Sequence, residues 1–142
     1  MSTHIPEEAK DLLEGAVFIT LSTVMPDGQP HSTIVWCTYD GEHIKVNTRR
    51  DSRKEKNMSA RPMATVMAVD PQNWWRWIEV QGTVEEITEE GALDHINQLA
   101  QLYVGKSKYY GEVAPAEMAD KETRIICKIK PNKAVFFNPQ GG

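Results

Sequence analysis

Arg49, Arg50, Arg53, Lys54 and Lys56 fall within the stretch NTRRDSRKEKN, from Asn47 to Asn57, against only Asp51 and Glu55. Positive charge this dense, in a chain of net charge -4, needs a reason. Ser52 and Glu55 stand at the S-x-x-E spacing of a capping box, in which a serine oxygen and a glutamate satisfy backbone N–H groups otherwise unpaired at a helix start. A helix is therefore expected to begin at Arg53, with Arg53 and Lys54 in its first turn. There the positive end of the helix dipole disfavours each cation by about 0.3–1 kcal/mol. An anion at that terminus reverses the sign, because free N–H groups, the dipole, an arginine fork and a lysine point charge all converge on it. A phosphate ester is the natural candidate. The alternative is a solvated helix start whose bases are offset by Asp51 and Glu55. No aromatic residue is interleaved and the acids interrupt the run, so a nucleic-acid patch or localisation signal ranks below both.

The elements that must position this stretch are mainly β. PEEAKDLLEG reads as a short N-terminal helix, with Pro6 at its first position and Gly15 as its stop. AVFITLSTV, HSTIVWCTYD and HIKVNT then read as strands joined by MPDGQP and the Asp40-Gly41 turn, which predicts a three-strand meander. Beyond the basic stretch, MATVMAVD is a fourth strand, PQNWW a loop and RWIEVQGTVEEI a long fifth strand. From Thr88, the apolar residues Leu93, Ile96, Leu99, Ala100 and Tyr103 recur at helical spacing and end near Gly105. KSKYYGEVAPAEMADKE reads as loop plus one short helix, and TRIICKIK and KAVFFN as closing strands. Six or seven strands linked mainly by hairpins, without βαβ alternation, predict an antiparallel β-barrel with peripheral helices. GxGxxG and GxxxxGK[ST] are both absent, so a phosphate must be held by another device.

The 142 residues, 40% of them hydrophobic, fit one domain spanning 1–142. The acidic balance argues against a nucleic-acid or anionic-membrane surface, and no apolar run reaches the roughly 18 residues of a membrane span. With no apolar targeting segment and two cysteines at no metal or disulfide spacing, a cytoplasmic location is expected. No HxxxH, carboxylate cluster or Cys-His grouping supports a metal. Cys37 reads as a small buried hydrophobe. His31 is the histidine placed near the site, whereas His4, His43 and His95 read as solvated or structural. Trp74, Trp75 and Trp77 crowd the head of the fifth strand, where Trp75 and Trp77 share a face as a core layer, an interface or the wall of a ring-binding pocket.

These residues carry a family resemblance. VNTRRDSRKEKNMSARPMATVMAV resembles the strand, cofactor-phosphate loop and following strand of the pyridoxamine 5'-phosphate oxidase-like split barrels, with Arg53 and Lys54 where that family places its phosphate-binding pair. The likeness runs from about Phe18 through TLSTVMPDGQPHSTIVWCTYDGEHIKVNT to WIEVQGTVEEI. It looks most like the branch using the deazaflavin coenzyme F420, with FMN-binding relatives as near neighbours. The resemblance implies a split β-barrel of antiparallel Greek-key type and a homodimer with the cofactor at the subunit interface. It further implies that His31, Ser32, Thr33 and Ile34 line the cofactor from one strand. Asn47, Thr48, Arg49, Arg53 and Lys54 would take its phosphate and ribityl side, and Lys56 would reach its acidic tail. The strand bearing Trp75 and Trp77 would approach the other subunit's cofactor. The arginine-rich C-terminal motif of pyridoxamine phosphate oxidases has no counterpart in KIKPNKAVFFNPQGG, so that activity is not expected.

The absence of an obvious nucleophile or acid–base pair suits a cofactor that carries the chemistry itself. The expectation is an F420-dependent oxidoreductase passing hydride to a small conjugated acceptor of enone, quinone or tetrapyrrole type, with Tyr39, Tyr109, Tyr110 or solvent as proton donor. An FMN-binding flavoprotein and a non-catalytic cofactor-binding protein are the alternatives.

Overall fold

The computed structural model describes residues 5–139, so His4 lies outside the described residues. Seven strands form one antiparallel sheet: β1 (Ile19–Val24), β2 (Pro30–Val35), β3 (Cys37–Tyr39), β4 (Ile44–Arg49), β5 (Met63–Val69), β6 (Trp77–Thr88) and β7 (Arg124–Phe137). Their spatial order is β2-β1-β5-β6-β7-β4-β3. Three helices accompany them, α1 (Asp11–Glu14), α2 (Arg53–Ala60) and α3 (Ala92–Val104), with short 3-10 turns at Glu7–Ala9 and Ala116–Asp120. The expected antiparallel barrel with peripheral helices forms.

The expected three-strand meander does not. HSTIVWCTYD breaks at Trp36 into β2, which pairs with β1, and β3, which pairs with β4, so two hairpins occupy opposite edges of the sheet. Tyr103 of α3 supplies the reason. Its hydroxyl donates to Val17 O at 2.7 Å and accepts from Cys37 N–H at 3.1 Å, and its ring stacks between Phe18 and Trp36 at 5.7 and 5.2 Å. The backbone just after Trp36 is thus tied, through one hydroxyl, to the segment entering β1.

Three other boundaries differ from expectation. Thr88 does not open a helix; it ends β6, where pairing with Ile126 of β7 prevails, and α3 starts at Ala92 after Gly91 at φ 75°. Leu93 is consequently exposed, while Ala92, Ile96, Leu99 and Ala100 are buried. TRIICKIK and KAVFFN are one 14-residue strand, able to run through Pro131 because the β6–β7 register shifts beside Gly82. The N-terminal helix is a 3-10 turn followed by a single α-turn.

The core fills the inner face of the sheet. Ile19, Leu21, Ile44, Val46, Val66, Ile78, Val80, Ile125 and Ile129 alternate inward and meet Leu12, Leu13 of α1 and Met58 of α2. Asn57 of α2 donates to Thr23 Oγ1 of β1 at 3.0 Å, a bond that fixes the helix against the sheet. These contacts set the start of α2 beside the paired ends of β4 and β7.

Candidate functional site

β4 and β7 pair so that Arg49 stands directly opposite Arg124. Like charges at directly opposed positions repel, and no carboxylate separates them in the ladder. Lys54, in the first turn of α2, belongs to the same group. Burial first, then the Arg49 and Arg124 charges, hold its ammonium pKa below the ordinary lysine value. Three cations thus share one end of β4, offset by the Glu122 carboxylate, whose Oε2 lies 4.0 Å from Arg124 Nη1.

The turn leading into α2 is tightly built. Asp51 adopts a left-handed φ of 70°, and Arg50 N–H donates to Thr123 O at 2.7 Å, tying the turn to the approach of β7. Ser52 caps α2 as expected, accepting from Glu55 N–H at 3.3 Å. Glu55 completes the cap one residue earlier than a capping box does, accepting from Asp51 N–H at 2.9 Å. The bond from Ser59 is the largest influence holding its carboxyl below the usual range. Thr48 Oγ1 donates to Ser52 Oγ at 3.2 Å, so strand end and helix cap are joined through side chains.

A cavity of about 340 Å³ opens beside these cations. Lys54, Arg124, Asn47 and Thr48 line its polar side, and Phe18, Ile34, Val35, Trp36, Ile96, Leu99, Tyr109 and Val113 its apolar side. Tyr109 lies edge-on to Trp36 at 6.4 Å, and the Arg124 guanidinium sits over the Tyr109 ring at 5.1 Å. Cations and aromatic rings lining one cavity suit a ligand with an anionic group and a planar ring.

Of the residues expected from sequence, Ile34, Asn47, Thr48 and Lys54 line this cavity, and Arg49 joins through its charge. Arg53 and Lys56 are exposed on α2 and do not line it, because neighbouring helix positions point in different directions. His31, Ser32 and Thr33 lie further along β2. Ser32 bonds Ser22 at 2.8 Å, whereas His31 Nδ1 and Thr33 Oγ1 are buried without a hydrogen-bond partner among the described residues. Trp75 is exposed in the β5–β6 turn and Trp77 stacks on Phe137 at 5.2 Å, both away from the cavity. Of the candidate proton donors, Tyr109 lines it and Tyr39 does not. Arg124, Phe18 and Trp36 went unassigned in the sequence; only the β4–β7 register brings Arg124 to Arg49.

Behind the cations lies a buried polar chain. Arg124 Nε–H donates to Asn47 Oδ1 at 2.9 Å, Asn47 Nδ2 lies 2.9 Å from Ala92 O and 3.1 Å from His95 Nδ1, and His95 Nε2 lies 3.0 Å from Thr38 Oγ1. Burial, with the Lys45 charge adding to it, pushes the His95 pKa down to about 4. Between pH 6.5 and 4 the unfolded chain therefore takes a proton that the folded chain refuses, and stability falls as pH falls. The expected loss by pH 5 is roughly 2 kcal/mol, readable by urea unfolding, and His95→Gln should flatten it. Asp40 acts lower: burial opposes ionisation, but bonds from the His43 and Glu42 backbone and from Lys45 bring it to about 2, so its contribution is lost only below pH 3.8.

The family model described as pyridoxamine 5'-phosphate oxidase matches residues 5–137. The chain belongs to this family. Among solved structures, this pyridoxamine 5'-phosphate oxidase-family chain is similar to an F420 reductase at 30% identity, covering 92% of this chain and 98% of that one, with a TM-score of 0.79. It is also similar to a conserved hypothetical protein from Mycobacterium tuberculosis, at 24% identity over 97% and 88% of the two chains with a TM-score of 0.70. General Stress Protein 26 from Bacillus anthracis shares the fold at 22% identity, 94% and 93% coverage and a TM-score of 0.67. No curated protein matches the sequence. Among the described residues, no helix is long and apolar enough to cross a membrane, and no three His, Cys, Asp or Glu side chains gather as a metal site.

Proposed function

We propose that the protein is a homodimeric oxidoreductase that binds coenzyme F420 and delivers hydride to a small conjugated acceptor. The observation that carries this reading is the convergence of Lys54, Arg49 and Arg124 at one end of a cavity walled by Phe18, Trp36 and Tyr109. The 30% identity to an F420 reductase over nearly the whole of both chains supports the deazaflavin in particular. A reduced deazaflavin supplies the hydride when bound. The chain's own residues hold its phosphate through Lys54, Arg49 and Arg124. The aromatic walls offer a planar ring its apolar faces, and Tyr109, which lines the cavity, is the residue assigned to hold a proton beside the acceptor.

The outer face of the sheet supports a dimer. Ile34, Met63, Val69, Val135 and Phe137 are exposed there, and Ile34 (66%) also lines the cavity with Phe18 (60%). A second copy covering this face would bury the patch and close one side of the site. FMN is the second reading, favoured by the family match, since the same cations and ring walls accept any phosphate-bearing planar cofactor. The deciding assay is turnover of reduced F420 with enones, quinones and tetrapyrroles. Acceptor-dependent reoxidation is expected; tight binding without reoxidation by any acceptor would mean a cofactor-holding protein instead.

A further inference from the structure

The hydrogen bonds behind the cation cluster determine which way Asn47 points. Its two outer partners are unambiguous: Ala92 O can only accept and Arg124 Nε–H can only donate. Nδ2 must therefore face Ala92 and Oδ1 must face Arg124. With that amide fixed, the atom 3.1 Å away, His95 Nδ1, meets an N–H and has to accept. His95 is then neutral with its proton on Nε2, donating to Thr38 Oγ1.

We propose that His95 is a positioning residue for the anion site, acting through Asn47 to hold the Arg124 guanidinium in the cavity against the repulsion of Arg49 and Lys54. Asn47 and His95 are both buried, 9% and 6% exposed, so water is a poor substitute for either partner. A proton on Nδ1 would set N–H against N–H₂. The amide would have to turn, presenting its N–H₂ to the Arg124 Nε–H and its oxygen to the Ala92 carbonyl, and Arg124 would lose the acceptor of its Nε–H, keeping the Glu122 carboxylate 4.0 Å from Nη1 and the Tyr109 ring. The geometry explains why a histidine on α3, with no contact to the cavity itself, is bonded on one side to Asn47 of β4 and on the other to Thr38 of β3. A leucine there fills the space and accepts nothing; a glutamine can present its oxygen to Asn47.

This inference rests on the proposed cofactor site, and its test has an arm that does not. In 15N-labelled protein without cofactor, the His95 ring should show the Nε2–H tautomer, and the Arg124 Nε–H should exchange slowly with water. His95→Leu should accelerate that exchange at least about tenfold, the loss of one buried charge-assisted bond, and His95→Gln should restore it. A Nδ1–H tautomer in the parent protein, or unchanged Arg124 exchange in a folded His95→Leu, would overturn the relay. In the second arm, F420 affinity followed by fluorescence should fall about tenfold in His95→Leu and recover in His95→Gln. Faster Arg124 exchange with unchanged affinity would overturn the positioning role. If the parent protein binds no F420, the functional reading fails by itself, and the exchange and tautomer measurements still decide the relay.

Discussion

Lys54→Met is expected to weaken F420 binding about 10- to 100-fold while leaving the free protein at least as stable as its parent. The lost charge-assisted bond to a phosphate accounts for roughly 1.5–3 kcal/mol of binding. Stability should move the other way because the free protein gains nothing from this charge: the Lys54 ammonium is half-buried, faces Arg49 and Arg124, and has its pKa lowered by both influences. Methionine keeps the side chain's length and removes the penalty. Arg53→Ala should have the smaller effect on affinity, since Arg53 is exposed and does not line the cavity. Binding titrations and thermal melts on the same samples separate the two quantities. Lower affinity with higher or equal melting temperature is the signature of a residue kept for its ligand. Lower affinity with a lower melting temperature would indicate a structural lysine.

The second large effect is on stability. Ile129→Ala should cost about 2–5 kcal/mol, measured as a reduced urea midpoint at constant slope. Ile129 is fully buried on β7, between Ile44 of β4 and Val84 of β6, where the two halves of the sheet join. Gly82 sharpens the prediction. A Cβ built on Gly82 would lie 2.6 Å from Ile129 Cγ2 and 2.6 Å from Lys130 O, so Gly82→Ala should itself cost about 1–3 kcal/mol by overpacking. Removing the Ile129 branch relieves the first clash and leaves the backbone one. The double variant should therefore lose less than the sum of the single losses. Strict additivity would show that the two positions do not share the space the structure assigns them.

The same two regions show what the sequence could reveal. Ser52 and Glu55 announced the start of α2 because capping is local chemistry, encoded within four residues. The strands were legible from β-branched alternation, and the resemblance of the Arg53–Lys54 loop to a cofactor-phosphate loop led to the family that the comparison identifies. Pairing partners were not legible. HSTIVWCTYD has no turn residue at Trp36, and its break depends on Tyr103, 67 positions on, whose hydroxyl bonds the Cys37 backbone and Val17 O while its ring stacks on Trp36. Arg124 stayed hidden for a similar reason. Alone in TRIICKIK it is an unremarked basic residue, and it enters the site only through a register with β4 that neither strand's composition specifies. His95 looked structural, and the structure agrees, yet its bond to Asn47 connects it to the cation cluster.

Cofactor choice and the anion site are tested together by a parallel fluorescence titration of the purified protein with F420 and with FMN, repeated with Lys54→Met. Saturable binding of F420 in preference to FMN is expected, weakened at least about tenfold by the substitution. Preference for FMN would contradict the deazaflavin assignment, and binding of neither, or affinity indifferent to Lys54, would contradict the anion site itself.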